Sequence, residues 1–287
     1  MKFVKPRIII SKCLEFEACR YDGQIINNKY IKKLKQFIDF EPVCPEVEIG
    51  MGTPRDTIRI VKNEGKYLLY QPATEKDFGE KMNIFSKNYL KKINNVDGFI
   101  LKSDSPSCGV QSAKIYPKKN NCPPIKKSSG FFTKHILSNF PLVPIEEEKR
   151  LNNIFIREHF YTCIFTIADF RSITNFDSLY KYHAKHKYLF MSYNQTLMRK
   201  MGNIIKACNY DLGQQILIEK HPVNRANTIV AIKATDIAQS IQQHGLGVVG
   251  EAIDTAYILL WEKFESLSQL ILGSDEFLSL LAKEARW

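Results

Sequence analysis

The sequence predicts an α/β N-terminal domain, built on a Rossmann-like and mostly parallel sheet, followed by an all-α C-terminal domain. Three observations support this prediction. Short apolar runs alternate with amphipathic stretches up to residue 145, a proline-containing acidic segment follows, and apolar residues then recur at helical spacing. A chain of 287 residues is long enough for two hydrophobic cores. We therefore expect domains over residues 1–145 and 146–287.

The N-terminal elements alternate between strands and helices. Strand patterns occupy 7–10, the start of 43–50 and 96–103, with a hairpin pattern over 58–72. Amphipathic helices are predicted over 30–40 and 76–93. Strands that alternate with helices favour parallel neighbours in the sheet. Ligands of such sheets bind beyond the carboxyl ends of the strands, and functional residues are expected there.

The C-terminal half reads as helical after a predicted linker at 139–151. Long helices with apolar stripes are expected over 152–170 and 176–207, and further helical patterns cover 228–243 and 250–273. The charge is uneven along this half. Residues 149–209 carry ten basic and three acidic side chains, a net +7, whereas residues 210–287 have a net charge of −4.

Charge and hydropathy restrict the class of protein. The net charge of +11 and pI near 9.2 indicate a polyanionic partner, of which nucleic acid is the commonest, although a solvated lysine-rich face would give the same composition. The sequence contains no uncharged apolar run of ~20 residues that could span a bilayer. The start "MKFVKPRIII" has too short an apolar run for a signal peptide, so we expect a cytoplasmic protein.

Three cysteines follow predicted strands. Cys13, Cys44 and Cys108 come after "RIIISK", "FEPV" and "GFILKSDSPS". Seven cysteines in a cytoplasmic chain favour metal binding or catalysis over a disulfide framework. Three thiolates suit either a zinc ion with an open position or a cubane iron–sulfur cluster with one unprotected iron. The wide spacing, 31 and 64 residues, disfavours a zinc ribbon.

Three separated motifs then resemble those of the thiouracil desulfidase family. They are "SKCLEFEACRYDG" (11–23), "VCPEVEIGMGTPRDTIRIV" (43–61) and "LKSDSPSCGVQSAKIY" (101–116). The similarity extends over residues 5–145, and "YKYHAKHKYLFMSYN" (180–194) is similar to the signature of the helical domain found in two-domain members. Those members are associated with removal of sulfur from 4-thiouridine in tRNA.

The resemblance implies a cofactor and two catalytic residues. Cys13, Cys44 and Cys108 would hold a [4Fe–4S] cluster with one open iron, Glu46 would activate water, and Ser105 would supply a proton. The net reaction would convert thiolated uracil to uracil and sulfide without redox change. From the residues alone, Glu48 rivals Glu46, and Ser105 equally fits a turn before Pro106. Cys19 is interpreted as a bystander, with a fourth cluster ligand as the alternative.

The helical domain carries a candidate RNA-binding segment. Its basic and aromatic composition suits an RNA backbone, with a solvated helix face as the alternative. The candidate residues are Lys181, His183, Lys185, His186 and Lys187. After about residue 207 the resemblance to the helical domain is lost. The expected substrate is tRNA, with free thiouracil or thiouridine as the alternative, and a non-catalytic iron–sulfur sensor or RNA-binding protein as a third reading. The sequence gives no prediction of oligomeric state.

Overall fold

The structure is a computed structural model that describes residues 3–63, 65–119 and 122–217. The helices predicted over 228–243 and 250–273 lie outside these residues. The chain divides into two compact units, residues 1–168 and 169–287. The first unit contains the α/β elements, and the described part of the second is helical, as predicted.

Nine strands and seven α-helices make up the described elements. The strands are β1 (Arg7–Ser11), β2 (Asp39–Val43), β3 (Arg59–Asn63), β4 (Lys66–Gln71), β5 (Lys76–Asp77), β6 (Gly98–Leu101), β7 (Ala113–Tyr116), β8 (Lys126–Ser128) and β9 (Ile145–Glu147). The helices are α1 (Lys29–Leu34), α2 (Pro45–Glu48), α3 (Gly79–Leu90), α4 (Phe131–Asn139), α5 (Ile154–Arg171), α6 (Phe176–Tyr193) and α7 (Gln195–Leu217).

The first sheet is fully parallel, with the strand order β2-β1-β6-β9. Its central strand β1 reads Ile8-Ile9-Ile10, and each of these side chains is at most 2% exposed. A continuous apolar run is typical of a parallel strand that is buried on both faces. The predicted parallel sheet is therefore confirmed, and the carboxyl ends of its four strands lie along one edge.

The predicted linker at 139–151 is wrong. Ile145–Glu147 forms strand β9, which pairs in parallel with β6. The prolines and the acidic run suggested an exposed connection, but both carboxylates that end the run are nearly buried, Glu147 at 5% and Glu148 at 4% exposure. A short 3-10 turn then leads into α5. The segment thus completes the parallel sheet of the first unit.

A second sheet of five strands has the order β5-β4-β3-β7-β8 and is mostly antiparallel. The predicted hairpin over 58–72 supplies its β3 and β4. The strands β5, β7 and β8 were not predicted, because they have only two to four residues and contain no continuous apolar run. Ile60, Leu69 and Ile115 are at most 1% exposed and join a core with α3 and α4.

Two predicted helix boundaries differ in the structure. The helix expected over 30–40 ends at Leu34, because Asp39–Val43 pairs with β1 instead. The run expected over 176–207 is two helices separated at Asn194, whose backbone is extended. The Asn194 side chain accepts a hydrogen bond from the Leu197 amide at 3.0 Å, which caps the start of α7.

Helices α6 and α7 pack against each other at a close approach. A Cβ atom on Gly202 would lie 3.1 Å from the His183 ring. The His183 Nε2 atom is 3.2 Å from the Met198 carbonyl oxygen, and Met201 is fully buried beside it. The glycine therefore provides the space that the imidazole occupies. No helix among the described residues is long and apolar enough to cross a membrane.

Candidate active site

Three buried cysteines lie at the carboxyl edge of the parallel sheet. Cys44 directly follows β2, Cys13 lies two residues beyond β1, and Cys108 lies in the loop beyond β6. These strands are neighbours, with β1 at the centre. All three thiols are unpaired in disulfides, and the residues are 8%, 9% and 5% exposed for Cys13, Cys44 and Cys108. The chain thus assembles, at one edge, side chains that are up to 95 residues apart in sequence.

Cys19 joins this group as a fourth buried thiol, with 1% exposure. A hydrogen bond with Cys13 is the main cause that raises the pKa of Cys19 to about 11. A second hydrogen bond links Cys19 to Cys44. The same Cys19 hydrogen bond, followed by burial, raises the pKa of Cys44. The raised pKa values keep the Cys19 and Cys44 thiols protonated in the protein without metal, and a metal that binds Cys44 must displace its proton.

Glu46 lies beside the thiols and is held by Arg55. The Arg55 guanidinium donates to Oε2 of Glu46 from Nη2 at 2.6 Å and from Nε at 3.0 Å. Both side chains are largely buried, at 7% exposure for Arg55 and 12% for Glu46. The Arg55 Nη1 atom donates to the backbone carbonyl of Cys19 at 2.9 Å. Arg55 therefore connects the carboxylate to the thiol group.

Ser105 faces the other oxygen of Glu46. Its Oγ lies 3.5 Å from Oε1 of Glu46 and accepts hydrogen bonds from the amides of Ser107 at 3.2 Å and Cys108 at 3.1 Å. The two amides occupy the lone pairs of the hydroxyl, which leaves its proton for donation. Glu48 is exposed and is not held by an arginine among the described residues. Geometry therefore favours Glu46 over its sequence rival.

The loop that carries Ser105 and Cys108 is held by two glutamates at the end of β9, Glu147 and Glu148. Glu148 accepts hydrogen bonds from the Ser103 amide at 2.5 Å and the Ser103 hydroxyl at 2.8 Å, and pairs with Lys102 Nζ at 2.8 Å. Glu147 accepts from the Val110 amide at 2.6 Å and from the Ser112 hydroxyl at 2.6 Å. Both flanks of the loop are thus tied to the end of β9.

Helix α4 holds the middle of the same loop. The amides at its start, Phe131 and Phe132, each donate at 3.0 Å to the carbonyls of Pro106 and Ser107. The Thr133 hydroxyl donates to the Cys108 carbonyl at 2.8 Å. A Cβ on Gly130 would lie 2.4 Å from the Ser107 carbonyl oxygen, so this position excludes any other residue without a shift of the loop. These contacts fix the Cys108 backbone.

The donor set fits an iron–sulfur cluster. Thiolates are soft ligands that iron–sulfur clusters take, and the three follow separate, rigid strands. The Ser107 hydroxyl, fully buried beside Cys108, has no hydrogen-bond partner among the described residues, as expected of a donor to a cluster sulfur. Within the part of the chain described, no three His, Cys, Asp or Glu side chains are grouped as ligands of a single metal ion.

The five RNA-binding candidates of α6 divide between surface and interior. His183 is buried at 9% exposure, and burial lowers its pKa, so the expected surface position is wrong for this residue. His186 and Lys185 both contact Oδ2 of Asp169, at 2.7 and 2.8 Å. Lys181 is 73% exposed beside Asp177, and Lys187 is exposed. Two exposed tyrosines, Tyr180 at 61% and Tyr188 at 75%, share this helix.

Sequence reasoning missed Arg55, Glu147 and Glu148 as parts of the site. Arg55 lies within the motif at 43–61, in which the resemblance implies roles only for Cys44 and Glu46. Glu147 and Glu148 were assigned to the linker. The signal that could have identified them is the run "PIEEE", in which an apolar residue leads into carboxylates as at the end of a parallel strand.

In comparisons with known proteins, the two parts of the chain match different families. Residues 8–148 match the family model of 2-thiouracil desulfurase. The Bacillus subtilis (strain 168) protein YbbK is 34% identical over 110 residues, which are 36% of this chain and 72% of YbbK. A solved structure of a [4Fe–4S]-dependent thiouracil desulfidase, TudS, has a TM-score of 0.42 and 24% identity, and the match covers 54% of this chain and 99% of that chain.

Residues 170–287 match a second family model, that of WASH complex subunit 7. WASH complex subunit 4 of Dictyostelium discoideum is 31% identical over 91 residues, which are 32% of this chain. The chain spans only 8% of the length of that relative. The family-model match covers helices α6 and α7 and the residues beyond them.

The desulfurase model covers all four strands of the parallel sheet, the three cysteines at its edge, and the Glu46 and Ser105 segments. YbbK matches over more than two thirds of its own length. Through its α/β unit, this chain belongs to the 2-thiouracil desulfurase family and is an enzyme of the desulfurase class.

Proposed function

We propose that the protein removes sulfur from thiolated uracil, with 4-thiouridine in tRNA as the preferred substrate, to give uridine and sulfide. The observation that carries the proposal is the placement of three buried thiols after adjacent parallel strands, next to Glu46 and Ser105. The proposal places the enzyme in the cytoplasm, where reducing conditions keep such thiols free.

Cys13, Cys44 and Cys108 are the proposed ligands of a [4Fe–4S] cluster. When bound through three thiolates, the cluster supplies one iron without a protein ligand, a soft Lewis acid that suits a thiocarbonyl sulfur. The protein contributes rigid positions for the thiols, because each follows a strand of one sheet. The surrounding apolar residues keep bulk water from the site, since Ile10, Leu14 and Ile100 are fully buried nearby.

Glu46 is the proposed general base. Arg55 fixes its Oε2, so Oε1 is the oxygen available to accept a proton from water. The water oxygen then bonds to the carbon that carries sulfur, and the carbon–sulfur bond breaks. The water oxygen remains on the pyrimidine and sulfur leaves as sulfide, with the protons of water balancing its charge. Neither carbon nor sulfur changes oxidation state.

Ser105 is the proposed proton donor. Because the Ser107 and Cys108 amides donate to its oxygen, the hydroxyl keeps its hydrogen for donation, and in the structure it donates toward Oε1 of Glu46. The same two amides stabilise negative charge on that oxygen when its proton is transferred. Its distance of 3.5 Å from Glu46 Oε1 allows the carboxylate to return a proton to it. Glu46 can thus take a proton from water and pass a proton to Ser105, which donates it to the substrate.

The tRNA substrate is supported by charge and by the exposed side chains of α6. Residues 149–209 have a net charge of +7, which favours a polyanion. Lys181 and Lys187 stand near the exposed rings of Tyr180 and Tyr188, a combination that suits phosphate contact and base stacking. A thiolated base in folded RNA must leave its stack to reach the buried thiols.

A free thiouracil or thiouridine is the second candidate substrate, and the likeness of residues 170–287 to WASH complex subunits favours it. If these residues serve protein association, the α/β unit would act on a small molecule. A non-catalytic iron–sulfur protein is the third candidate, since Cys19 touches two of the proposed ligands and could close the cluster.

A parallel assay distinguishes these candidates. Anaerobically reconstituted protein is given tRNA that contains 4-thiouridine, or free 4-thiouracil, and loss of thiocarbonyl absorbance is followed together with sulfide release. Turnover of tRNA with a much higher kcat/KM supports the proposal. Turnover of the free base alone contradicts the tRNA substrate but keeps the chemistry. No turnover by protein with an intact cluster contradicts the enzymatic proposal.

A further inference from the structure

The second sheet of the α/β unit has an unusual charge distribution. Its four longer strands carry six basic side chains and no acidic one. These residues are Arg59, Lys62, Lys66, Lys114, Lys126 and Lys127. Strands β7 and β8 pair Lys114 with Lys127, which places two like charges opposite each other. Such a pair destabilises a sheet unless a counter-charge accompanies it.

Lysines also surround one phenol on this sheet. Lys134 Nζ of α4 lies 4.7 Å from the centre of the Tyr67 ring, and Lys126 Nζ lies 5.9 Å from it. Lys62 is the cross-strand partner of Tyr67. A hydrogen bond with Lys126 is the main cause that lowers the pKa of the Tyr67 phenol, and the charges of Lys62 and Lys134 add to it. Three cations thus meet at one aromatic side chain.

These lysines lack acidic partners within the described part of the chain. Neither the six basic residues of the strands nor Lys134 forms a salt bridge there. Other lysines of the protein do so, for example Lys102 with Glu148 and Lys185 with Asp169. A patch of uncompensated positive charge is the electrostatic signature of a surface that binds a polyanion.

Further cations cover aromatic rings on the opposite face of the same sheet, because Arg59 is an odd number of residues from Lys62 along β3. The Arg59 guanidinium lies 5.0 Å from the centre of the Tyr116 ring, and Lys119 Nζ lies 5.1 Å from that of Tyr70. Arginine and tyrosine side chains of this kind bind phosphates and stack on unpaired bases. On the face around Tyr67, Lys62 and Lys126 lie on β3 and β8, which β7 separates. At ~4.8 Å between neighbouring strands their backbones are about 10 Å apart, a span that suits successive phosphates better than one small anion.

The sheet is joined directly to the candidate active site. Strand β3 begins four residues after Arg55, and β7 begins five residues after Cys108. The two strands run parallel and lead away from the site. Lys62 lies seven residues after Arg55, so at ~3.3 Å per residue the backbones of these two residues are at most about 23 Å apart, which a few nucleotides can span. A nucleic acid that lies along this sheet therefore reaches the site without any contribution from the second unit.

We propose that this sheet, the basic sheet hereafter, binds the sugar–phosphate backbone of the RNA substrate, with Lys62, Lys126 and Lys134 around Tyr67 as its principal phosphate contact. The inference rests on the proposed tRNA substrate and adds where the RNA is held. It assigns RNA binding to the catalytic unit itself. The helical residues Lys181 and Lys187 then become a second contact rather than the principal one.

The test compares a triple variant, Lys62→Gln/Lys126→Gln/Lys134→Gln, with a control that removes three exposed lysines of α1 and of the end of α3, Lys32→Gln/Lys33→Gln/Lys91→Gln. Binding of full-length reconstituted protein to tRNA is measured by fluorescence anisotropy over a range of salt concentrations. We expect the triple variant to bind tRNA at least tenfold more weakly. Its slope of log K against log salt should fall by about two, since each lysine–phosphate contact contributes about 0.7–0.9. The control variant should retain the wild-type slope.

Four results distinguish a failure of the basic-sheet proposal from a failure of the proposed tRNA substrate. A matching loss in kcat/KM for tRNA relative to free 4-thiouridine supports the basic sheet. Wild-type affinity and slope in the triple variant overturn the basic sheet alone, while tRNA turnover by the wild type keeps the proposed function. A wild-type protein that does not bind tRNA overturns both. Competition by polyglutamate equal to that of tRNA at matched charge would assign the surface to an acidic polypeptide and contradict RNA binding.

Discussion

Arg55 binds Glu46 through one carboxylate oxygen only. Two guanidinium nitrogens, at 2.6 and 3.0 Å, share Oε2, so Oε1 is turned toward Ser105. Arg55 is itself fixed by the Cys19 carbonyl at 2.9 Å and the Gly52 carbonyl at 3.2 Å. Burial disfavours its charge, but Glu46 outweighs burial, and the pKa of Arg55 is raised overall. The arginine is therefore a permanent cation that orients the proposed base.

Replacement of Arg55 by lysine should lower kcat about 10- to 100-fold, with little change in KM. A lysine keeps the charge but offers one point contact in place of the planar fork, so Glu46 can rotate away from Ser105. Steady-state kinetics on a reconstituted variant with normal iron content checks this. Arg20→Lys is the matched control, because Arg20 pairs with Asp22 in a more exposed position, and it should have wild-type kinetics. A rise in KM at constant kcat would show that Arg55 binds substrate instead.

Serine substitutions should distinguish the three proposed cluster ligands from Cys19 by their effect on iron content. Cys13→Ser, Cys44→Ser and Cys108→Ser should each lose most of the cluster iron, since hard hydroxyl donors replace soft thiolates. Cys19→Ser should retain about four irons per chain. Iron and acid-labile sulfide are assayed after anaerobic reconstitution. Loss of iron in Cys19→Ser equal to that of the other three would identify Cys19 as a ligand and contradict the open iron.

Glu148→Ala should lower the free energy of unfolding by about 2–4 kcal/mol. The substitution removes a buried acceptor of three hydrogen bonds and leaves Lys102, with a side chain 16% exposed, without its partner. Urea unfolding of the full chain gives the value. Glu146→Ala is the control, because Glu146 pairs with Arg150 at a more exposed position, and we expect a loss below about 1 kcal/mol. Equal losses would contradict the role of Glu148 in fastening the loop.

Acid should destabilise the helical unit through His183. Its pKa in the folded protein is lowered by burial, so below the ordinary value of about 6.5 the unfolded chain binds the proton more readily. The free energy of unfolding is therefore unaffected above that pH. It falls as the pH drops below it, by at most about 1.4 kcal/mol for each unit of pH.

The check for His183 is denaturant unfolding of the wild type and of His183→Gln between pH 7.5 and 5.5. Glutamine can donate to the Met198 carbonyl but does not titrate in this range. We expect a shallower decline in the variant than in the wild type. The same decline in both proteins would show that other groups are responsible.

The strand pattern and the cysteines could be predicted from sequence, because each thiol follows a short apolar run and parallel strands bring their carboxyl ends together. The role of Glu147 and Glu148 could not. Carboxylates that follow two prolines usually lie in an exposed loop. These two are buried because β9 pairs with β6, which the sequence alone does not reveal. The partnership of Arg55 with Glu46 likewise depends on how the loop after α2 folds back.

In the helical unit, too, some features could be predicted from the sequence and others could not. The composition of the candidate RNA-binding segment predicted that His183 and His186 belong to one binding surface. It did not reveal that His183 packs against Gly202 and that His186 contacts Asp169, because both contacts join residues from different helices. The exposure of Tyr180 and Tyr188 could not be predicted, because aromatic side chains in an amphipathic helix usually face the core.

Mössbauer spectroscopy of protein reconstituted with 57Fe, recorded with and without 4-thiouracil, tests most directly whether Cys13, Cys44 and Cys108 form a site with one accessible iron. The account predicts that one iron in each cluster has a distinct signal and that this signal alone changes when the thiolated base is added. Four irons that all remain unchanged, in protein with a full complement of cluster, would show that the protein supplies every ligand and would contradict the proposed desulfidase site.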